Sequence, residues 1–325
     1  MKALITGASG FIGSHLAGAL AARGRDVRCL LRTTSSRRWL DGLDYETAEG
    51  ALDDRGALAR AVAGVDVVFH LAGLTKAREE RDYFRANTEG TASLAAAAAA
   101  RETPPLFVLC SSQAAAGPCR EVEASTEAQA CAPVTPYGKS KLAAEEVLAR
   151  AGNRLPYVIL RPAAVYGPRD TELLLYFKFI ARRLEPAIGW EDSFVSLCYV
   201  DDLVAALVAA GERPGARGGT FFIAHDEVLS WRAVGARVAA ALGVRATLVR
   251  VPKAVLFGAA TVAELAATLT GGAATLNRAK ARELAQKRWV VDVGRAKAAL
   301  DFRPRVDFAA GAKLTAAWYR AEGWL

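Results

Sequence analysis

Short apolar runs alternate with helical patterns through the first half of the chain. The runs at 2–6, 27–31, near 44–48, 66–71, 106–110 and 157–160 read as strands bounded by turn-forming residues. Between them, residues 15–23, a segment opening at Asp54, one from about Tyr83 through the alanine run 95–100, and 137–151 repeat with helical period. Alternation of this kind specifies right-handed crossovers and an α/β, doubly wound parallel sheet, here of about seven strands. After Pro168 the order loosens. The chain returns to the sheet region at 198–203, passes through a helix and supplies a strand at 219–224; helical patterns at 230–242, 253–271, 276–287 and 309–322 follow. The expectation is two interwoven lobes. Residues 1–168, rejoined by 197–224, form a dinucleotide-binding domain, and 169–196 with 225–325 form a smaller, mostly helical substrate lobe.

Composition narrows this picture. Of 325 residues, 52% are hydrophobic and 23% charged, the balance of a chain with a buried core rather than a disordered one. The net charge of +8 is scattered through helices without a long basic run, which suits an anionic small molecule better than nucleic acid. Five cysteines (Cys29, Cys110, Cys119, Cys131, Cys198), odd in number and without a CxxC pair, indicate neither a disulfide framework nor a zinc site and fit a reducing cytoplasm. The first residues enter a strand pattern directly, with no signal peptide. The greasy stretch 254–271 is interrupted by Glu264 and two glycines, too broken for a membrane span. A buried helix or substrate lid is preferred there over a membrane-surface helix.

Chemistry concentrates where the predicted strands end. Thr6-Gly7-Ala8-Ser9-Gly10-Phe11-Ile12-Gly13 joins the first strand to the first helix. Glycines at 7, 10 and 13 permit a tight turn, close approach to a pyrophosphate and close helix packing, against the alternative of an ordinary glycine turn. The second strand ends at Leu31-Arg32, with Ser36 and Arg37 beyond, where an NAD-preferring enzyme usually places a carboxylate. Arginine and hydroxyl groups suit a 2′-phosphate, so NADP(H) is preferred, with NAD(H) possible if the arginine only stacks on adenine. Leu52-Asp53 follows the third strand; Asp53 can accept from the adenine amino group, cap the next helix, or both. Leu71, Ala72 and Gly73 let backbone approach the cofactor, and the turn holding Pro162 and Val165 passes under the nicotinamide. His70, in an apolar run, reads as core; with three histidines in the chain, a histidine mechanism or metal site has little support.

Tyr137-Gly138-Lys139-Ser140-Lys141 places a phenol and an ammonium on one helix face. At about 4 Å in a partly screened site the raw attraction favouring the ionised phenol is on the order of 4 kcal/mol. The alternative is a solvated helix face. Ser111-Ser112, at the end of the fifth strand, lies in the crevice where such sheets bind ligands.

Together these residues resemble the extended short-chain dehydrogenase/reductase family, also called the NAD(P)-dependent epimerase/dehydratase family, over essentially the whole chain. Thr6 to Gly13 matches its glycine turn, Leu71-Ala72-Gly73 its fourth strand end, and Ser112, Tyr137 and Lys141 its catalytic set; Arg161 to Pro168 and Tyr199 to Asp202 resemble later landmarks. The resemblance implies a Rossmann-type sheet. Tyr137 would exchange a proton with substrate, Lys141 would lower the tyrosine pKa and hold the nicotinamide ribose, and Ser112, favoured over Ser111 by counting back from Gly117, would bond the substrate oxygen. It also implies a homodimer through helices 83–101 and 137–151. Members acting on nucleotide sugars carry diphosphate-binding residues where this chain has Ala164 and the apolar stretch Phe194-Val195-Ser196-Leu197. The C-terminal half looks more like the 3β-hydroxysteroid dehydrogenase and dihydroflavonol reductase-like branch. The leading expectation is an NADP(H)-preferring alcohol dehydrogenase or ketone reductase for a hydrophobic or isoprenoid-like small molecule. The alternatives are a nucleotide-sugar epimerase/dehydratase and a cofactor-sensing protein without catalysis.

Overall fold

The computed structural model describes residues 1–119, 123–270, 274 and 276–325. It opens with β1 (Lys2–Thr6), α1 (Phe11–Ala21), β2 (Asp26–Leu31), β3 (Glu46–Glu49), α2 (Arg55–Ala61) and β4 (Val67–His70). α3 (Glu80–Tyr83), a π-helical turn over Phe84–Glu89 and α4 (Gly90–Ala99) run on without a break. Next come β5 (Leu106–Cys110), α5 (Gln113–Ala116), α6 (Pro136–Ala151), β6 (Tyr157–Pro162), β7 (Ala164–Tyr166), α7 (Leu174–Ala181), β8 (Leu184–Ile188) and β9 (Phe194–Tyr199). The remainder is α8 (Val200–Glu212), β10 (Thr220–Ile223), β11 (Val228–Ser230), α9 (Trp231–Leu242), β12 (Thr247–Val251), α10 (Lys253–Thr270), α11 (Arg278–Leu284), β13 (Arg288–Trp289), α12 (Gly294–Leu300) and α13 (Phe308–Ala321).

Seven strands form the main sheet in the order β10-β6-β5-β4-β1-β2-β3, all parallel. Period-two alternation sends neighbouring side chains to opposite faces. Ala3 and Ile5 join one buried cluster, which holds residues of α1 and α8, while Leu4 joins another with residues of α2, α4 and α6. Both faces are therefore covered, which is why these strands are continuous apolar runs.

The structure departs from expectation in the second half. The apolar run ending at Cys198-Tyr199 does not join the main sheet. It is β9, in a second sheet with β11 and β13, and β7 pairs with it as well. The chain rejoins the main sheet through α8, which packs on β5 and β6, and through β10. The C-terminal lobe thus carries small sheets among its helices, including the parallel pair β8–β12. The stretch predicted as a buried helix is α10, which buries Leu256 and Ala260 but leaves Val255 and Val262 exposed; residue 271 lies outside the described residues.

Candidate active site

β1 is flanked by β2 on one side and β4 on the other, so the strand order reverses there and a crevice opens beyond the strand ends. Gly7 occupies it with φ +74°. A Cβ on Gly7 would lie 2.7 Å from the Ala72 nitrogen, and one on Gly13 would lie 2.1 Å from the Gly7 carbonyl oxygen. Gly10 is the exposed N-cap of α1 and no side chain caps that helix. Backbone N–H groups of Phe11, Ile12 and Gly13 are thus presented at the positive end of α1, a cradle that fits the pyrophosphate of a dinucleotide.

A polar relay ties this cradle to the helix carrying Tyr137. The Ala72 N–H donates to Thr6 Oγ1 (3.2 Å), which is 2.7 Å from His70 Nδ1; His70 Nε2 is 2.9 Å from Thr91 Oγ1, and that hydroxyl donates to the Asn87 carbonyl (2.5 Å). Since Thr91 spends its proton on Asn87, His70 must donate from Nε2 and accept at Nδ1. Burial, with a smaller push from the Lys141 charge, holds the imidazole down to about 3, so it stays neutral. The Asn87 side chain then grips both backbone groups of Leu74 (2.7 and 3.0 Å) and donates to Ser140 Oγ (2.9 Å). Ser140 in turn donates to the Tyr137 carbonyl (2.8 Å). The π-helical turn, a feature found often at functional sites, delivers Asn87. Thr6 and Ser140 lie inside motifs visible in the sequence, but neither they nor Asn87 and Thr91 were given a role from it; the signal available was two polar residues, Asn87 and Thr91, four apart on one helix face.

Thr135 caps α6 by accepting from the Gly138 N–H (3.1 Å), and Pro136 occupies its first turn. The next residue is Tyr137, whose phenol comes close enough to the Ser112 side chain for that hydroxyl to hold its pKa down. Ser112 also caps α5, accepting from the Ala114 N–H (3.1 Å). Ser111 is committed elsewhere: its hydroxyl donates to Glu145, which is paired with Arg161 (2.5 Å), and both ionic partners are buried. Lys141 Nζ donates to the Cys110 carbonyl at 2.7 Å, at the end of β5. Here the electrostatics reverse the expectation from spacing. Burial pushes the Tyr137 phenol up, the Ser112 hydroxyl opposes this, and Glu283 and Glu172 add to the rise. Lys141 is itself pushed down by burial. Desolvation of both groups outweighs the attraction that four-residue spacing suggested. The carboxylates are paired, Glu172 with Lys76 and Glu283 with Lys280, each at 2.7 Å.

At the end of β2, Arg32 and Arg37 are exposed, and neither guanidinium has a partner among the described residues. Ser35 and Ser36 form local turns by accepting from the Arg32 and Arg38 N–H groups (3.1 and 3.4 Å). The cap of α2 is Asp54, which accepts from the Ala57 N–H (2.9 Å), so Asp53 is exposed and not used as the cap. Leu52 packs against Gly90 of α4. Pro162 ends β6, and Val165 lies half-buried in β7.

Residues 3–224 match the model of the NAD dependent epimerase/dehydratase family. The chain belongs to that family. It is 32% identical over 321 residues to the ceramide reductase of Caulobacter vibrioides, covering 99% of this chain and 95% of that protein. It is 30% identical over 305 residues, 87% of this chain and 90% of the relative, to the 4-hydroxy-2-methyl-3-oxo-4-farnesyl-3,4-dihydroquinoline-1-oxide ketoreductase of Stigmatella aurantiaca. The crystal structure of gox2253 superimposes with a TM-score of 0.83 at 28% identity, covering 99% of each chain. UDP-glucose 4-epimerase of Thermotoga maritima gives 0.82 at 23% identity, also over 99% of each chain, a likeness of fold. This epimerase/dehydratase family member is accordingly an enzyme of the NAD(P)-dependent oxidoreductase and epimerase class.

Proposed function

We propose that this enzyme is an NADP(H)-preferring reductase that interconverts a ketone and an alcohol on a lipophilic small molecule, with Tyr137 as the acid/base. The observation that carries the reading is the meeting of Tyr137, Ser112 and Lys141 at the strand ends that also hold the glycine cradle. When bound, the nicotinamide supplies or accepts the hydride. Tyr137 gives its proton to the carbonyl oxygen, and Ser112 donates to the same oxygen as charge builds on it. Lys141 adds positive charge at the end of β5 and a donor for a ribose hydroxyl. Residues 1–168 hold the dinucleotide in this reading, and 169–196 with 225–325 shape the substrate space. Arg32 and Arg37, without partners among the described residues at the end of β2, support a 2′-phosphate. The relatives named as reductases of ceramide and of a farnesylated quinoline support a lipophilic ketone. Against a nucleotide sugar stands β9, where Val195, Ser196 and Leu197 are buried and the Ser196 hydroxyl is occupied by the Val291 N–H (3.2 Å). Those buried positions offer a diphosphate no exposed donor.

The test is spectroscopic. NADPH incubated with lipophilic ketones should lose its nicotinamide absorbance, and sugar-nucleotide isomerisation without net absorbance change would replace this reading with an epimerase. Tyr137→Phe should cut turnover by about 10²–10⁴-fold with cofactor affinity retained; retained turnover would remove Tyr137 from the acid/base role. Arg32→Asp should move the preference from NADPH towards NADH, and an unmoved ratio of kcat/KM values would refute the 2′-phosphate assignment. A homodimer through α6 and the α3–α4 helix belongs to the same proposal, with sedimentation as its check.

A further inference from the structure

Solvent-exposed large hydrophobic side chains are distributed unevenly. Among the described residues ten of the eleven lie beyond Pro168, and Leu74 is the exception. Five of them gather on and before α10: Trp190 (73% exposed), Val249, Val255 (57%), Val262 (66%) and Leu265 (62%). The inward side of α10 is already satisfied, because Leu256 and Ala260 pack with Ala281 of α11 and with Ile188 and Val251 at the ends of β8 and β12. The outward side is also apolar. Between Lys253 and Glu264 the helix has no ionisable residue, and Glu264 is bound to Arg278 through both its N–H (2.8 Å) and its guanidinium (2.6 Å). A helix apolar on all sides is one that something covers.

The charges at its amino-terminal end indicate the cover. Lys253 begins the helix, and Arg250 lies 5.8 Å from the Trp190 ring and donates to the Trp190 carbonyl (2.7 Å). The neighbouring Glu191 is neutralised by Lys287. A tryptophan with cations beside an uncharged apolar helix face is the arrangement that seats at the headgroup level of an anionic bilayer. The chain's net charge of +8 has the complementary sign.

We propose that the outward face of α10, with Trp190, Arg250 and Lys253 at its end, docks on an anionic lipid surface. The purpose rests on the lipophilic-ketone reading given above. Beside that face α10 also lines, through Thr261, Glu264 and the exposed Leu265, a cavity of about 390 Å³ with Ala77, Arg78, Asn277 and Arg278. Next to this lining Lys76 pairs with Glu172 and α11 supplies Lys280 and Glu283, and both carboxylates act electrostatically on Tyr137. Docking would set this opening against the bilayer, so that a membrane-resident ketone enters without crossing water.

Cosedimentation of the full chain with vesicles tests it. Binding is expected to mixed phosphatidylglycerol and phosphatidylcholine vesicles, weakening as salt is raised and weaker to phosphatidylcholine alone. Val262→Glu and Val255→Glu, at exposed helix positions that tolerate the change, should each lower vesicle affinity about tenfold, the loss of one buried valine. Circular dichroism and NADPH affinity should stay unchanged. Three results would overturn the proposal: no vesicle binding, binding indifferent to both substitutions, or a concentration-dependent dimer that Val262→Glu dissociates in place of vesicle binding. Vesicle binding needs no turnover, so a protein that binds lipid but reduces no ketone leaves the docking surface standing and defeats the substrate reading alone.

Discussion

Asp170 sits where the dinucleotide-binding half gives way to the second lobe, almost wholly buried, its carboxylate accepting from the Glu172 and Leu173 N–H groups (2.7 and 3.0 Å). Burial outweighs those bonds and pushes its pKa up to about 6. An unfolded aspartate titrates near ~3.9. The folded carboxyl therefore binds its proton more tightly than the unfolded one. Its contribution is fully present below about pH 4 and is lost as pH rises from there through about 6. The difference is on the order of 3 kcal/mol. Asp170→Asn, which keeps an acceptor oxygen and has no proton to lose, should flatten this fall. Denaturant unfolding across that window, with the two proteins compared, measures it; curves that stay parallel would refute the assignment. Tyr137 gives a second pH expectation. Burial keeps its phenol protonated through neutral pH, the form that donates to a carbonyl, so reduction should hold its rate there and decline only under alkaline conditions. Alcohol oxidation should rise with pH over the same range.

At the scale of elements, the turn from β1 to α1 makes the sharpest prediction. A methyl group on Gly13 meets backbone, the Gly7 carbonyl at 2.1 Å, whereas one on Gly10 comes no nearer than 3.2 Å. Gly13→Ala should cost about 1–3 kcal/mol of stability and lower cofactor affinity, with Gly10→Ala much milder in thermal unfolding; equal effects would mean the cradle is not rigid. This turn, and the strands around it, were legible in the sequence because a strand buried on both faces must be a continuous apolar run. The same logic explains what was not legible. An apolar run reports burial without naming the sheet, so Cys198-Tyr199 read as the return to the sheet region when those residues end β9, which pairs with β11 and β13. Helix α10 read as a buried helix or substrate lid because periodicity cannot distinguish a face covered by protein from one awaiting another surface. Four-residue spacing brought Tyr137 and Lys141 to one face but carried no information about desolvation, which set both pKa directions. The relay through Thr6, His70, Thr91, Asn87 and Ser140 bonds partners up to 64 positions apart, and only the fold brings them together.

Across the whole molecule the two lobes share one hydrophobic cluster, which runs from Ile5 and Phe69 in the main sheet to Tyr166, Phe177, Phe308 and Tyr319. The last helix closes this junction. Tyr319 donates to the Asp170 carbonyl (2.8 Å), Asp202 on α8 accepts from the Arg305 and Val306 N–H groups (2.9 and 3.2 Å), and Trp318 packs 5.6 Å from Trp39 beyond β2. Gly311 permits the closest approach: a Cβ there would stand 2.2 Å from the Tyr166 hydroxyl oxygen and 2.8 Å from its ring. Tyr166 cannot yield, being fully buried with Tyr199 at 5.5 Å and Phe308 at 5.0 Å. Gly311→Ala should therefore destabilise by about 1–3 kcal/mol through overpacking. Because the strained contact lies in the shared cluster, the loss should shift one cooperative transition, with tryptophan fluorescence and far-ultraviolet circular dichroism moving together. A transition that splits, the C-terminal lobe melting first while the parallel sheet persists, would show that the lobes are separable and that the shared cluster does not couple them.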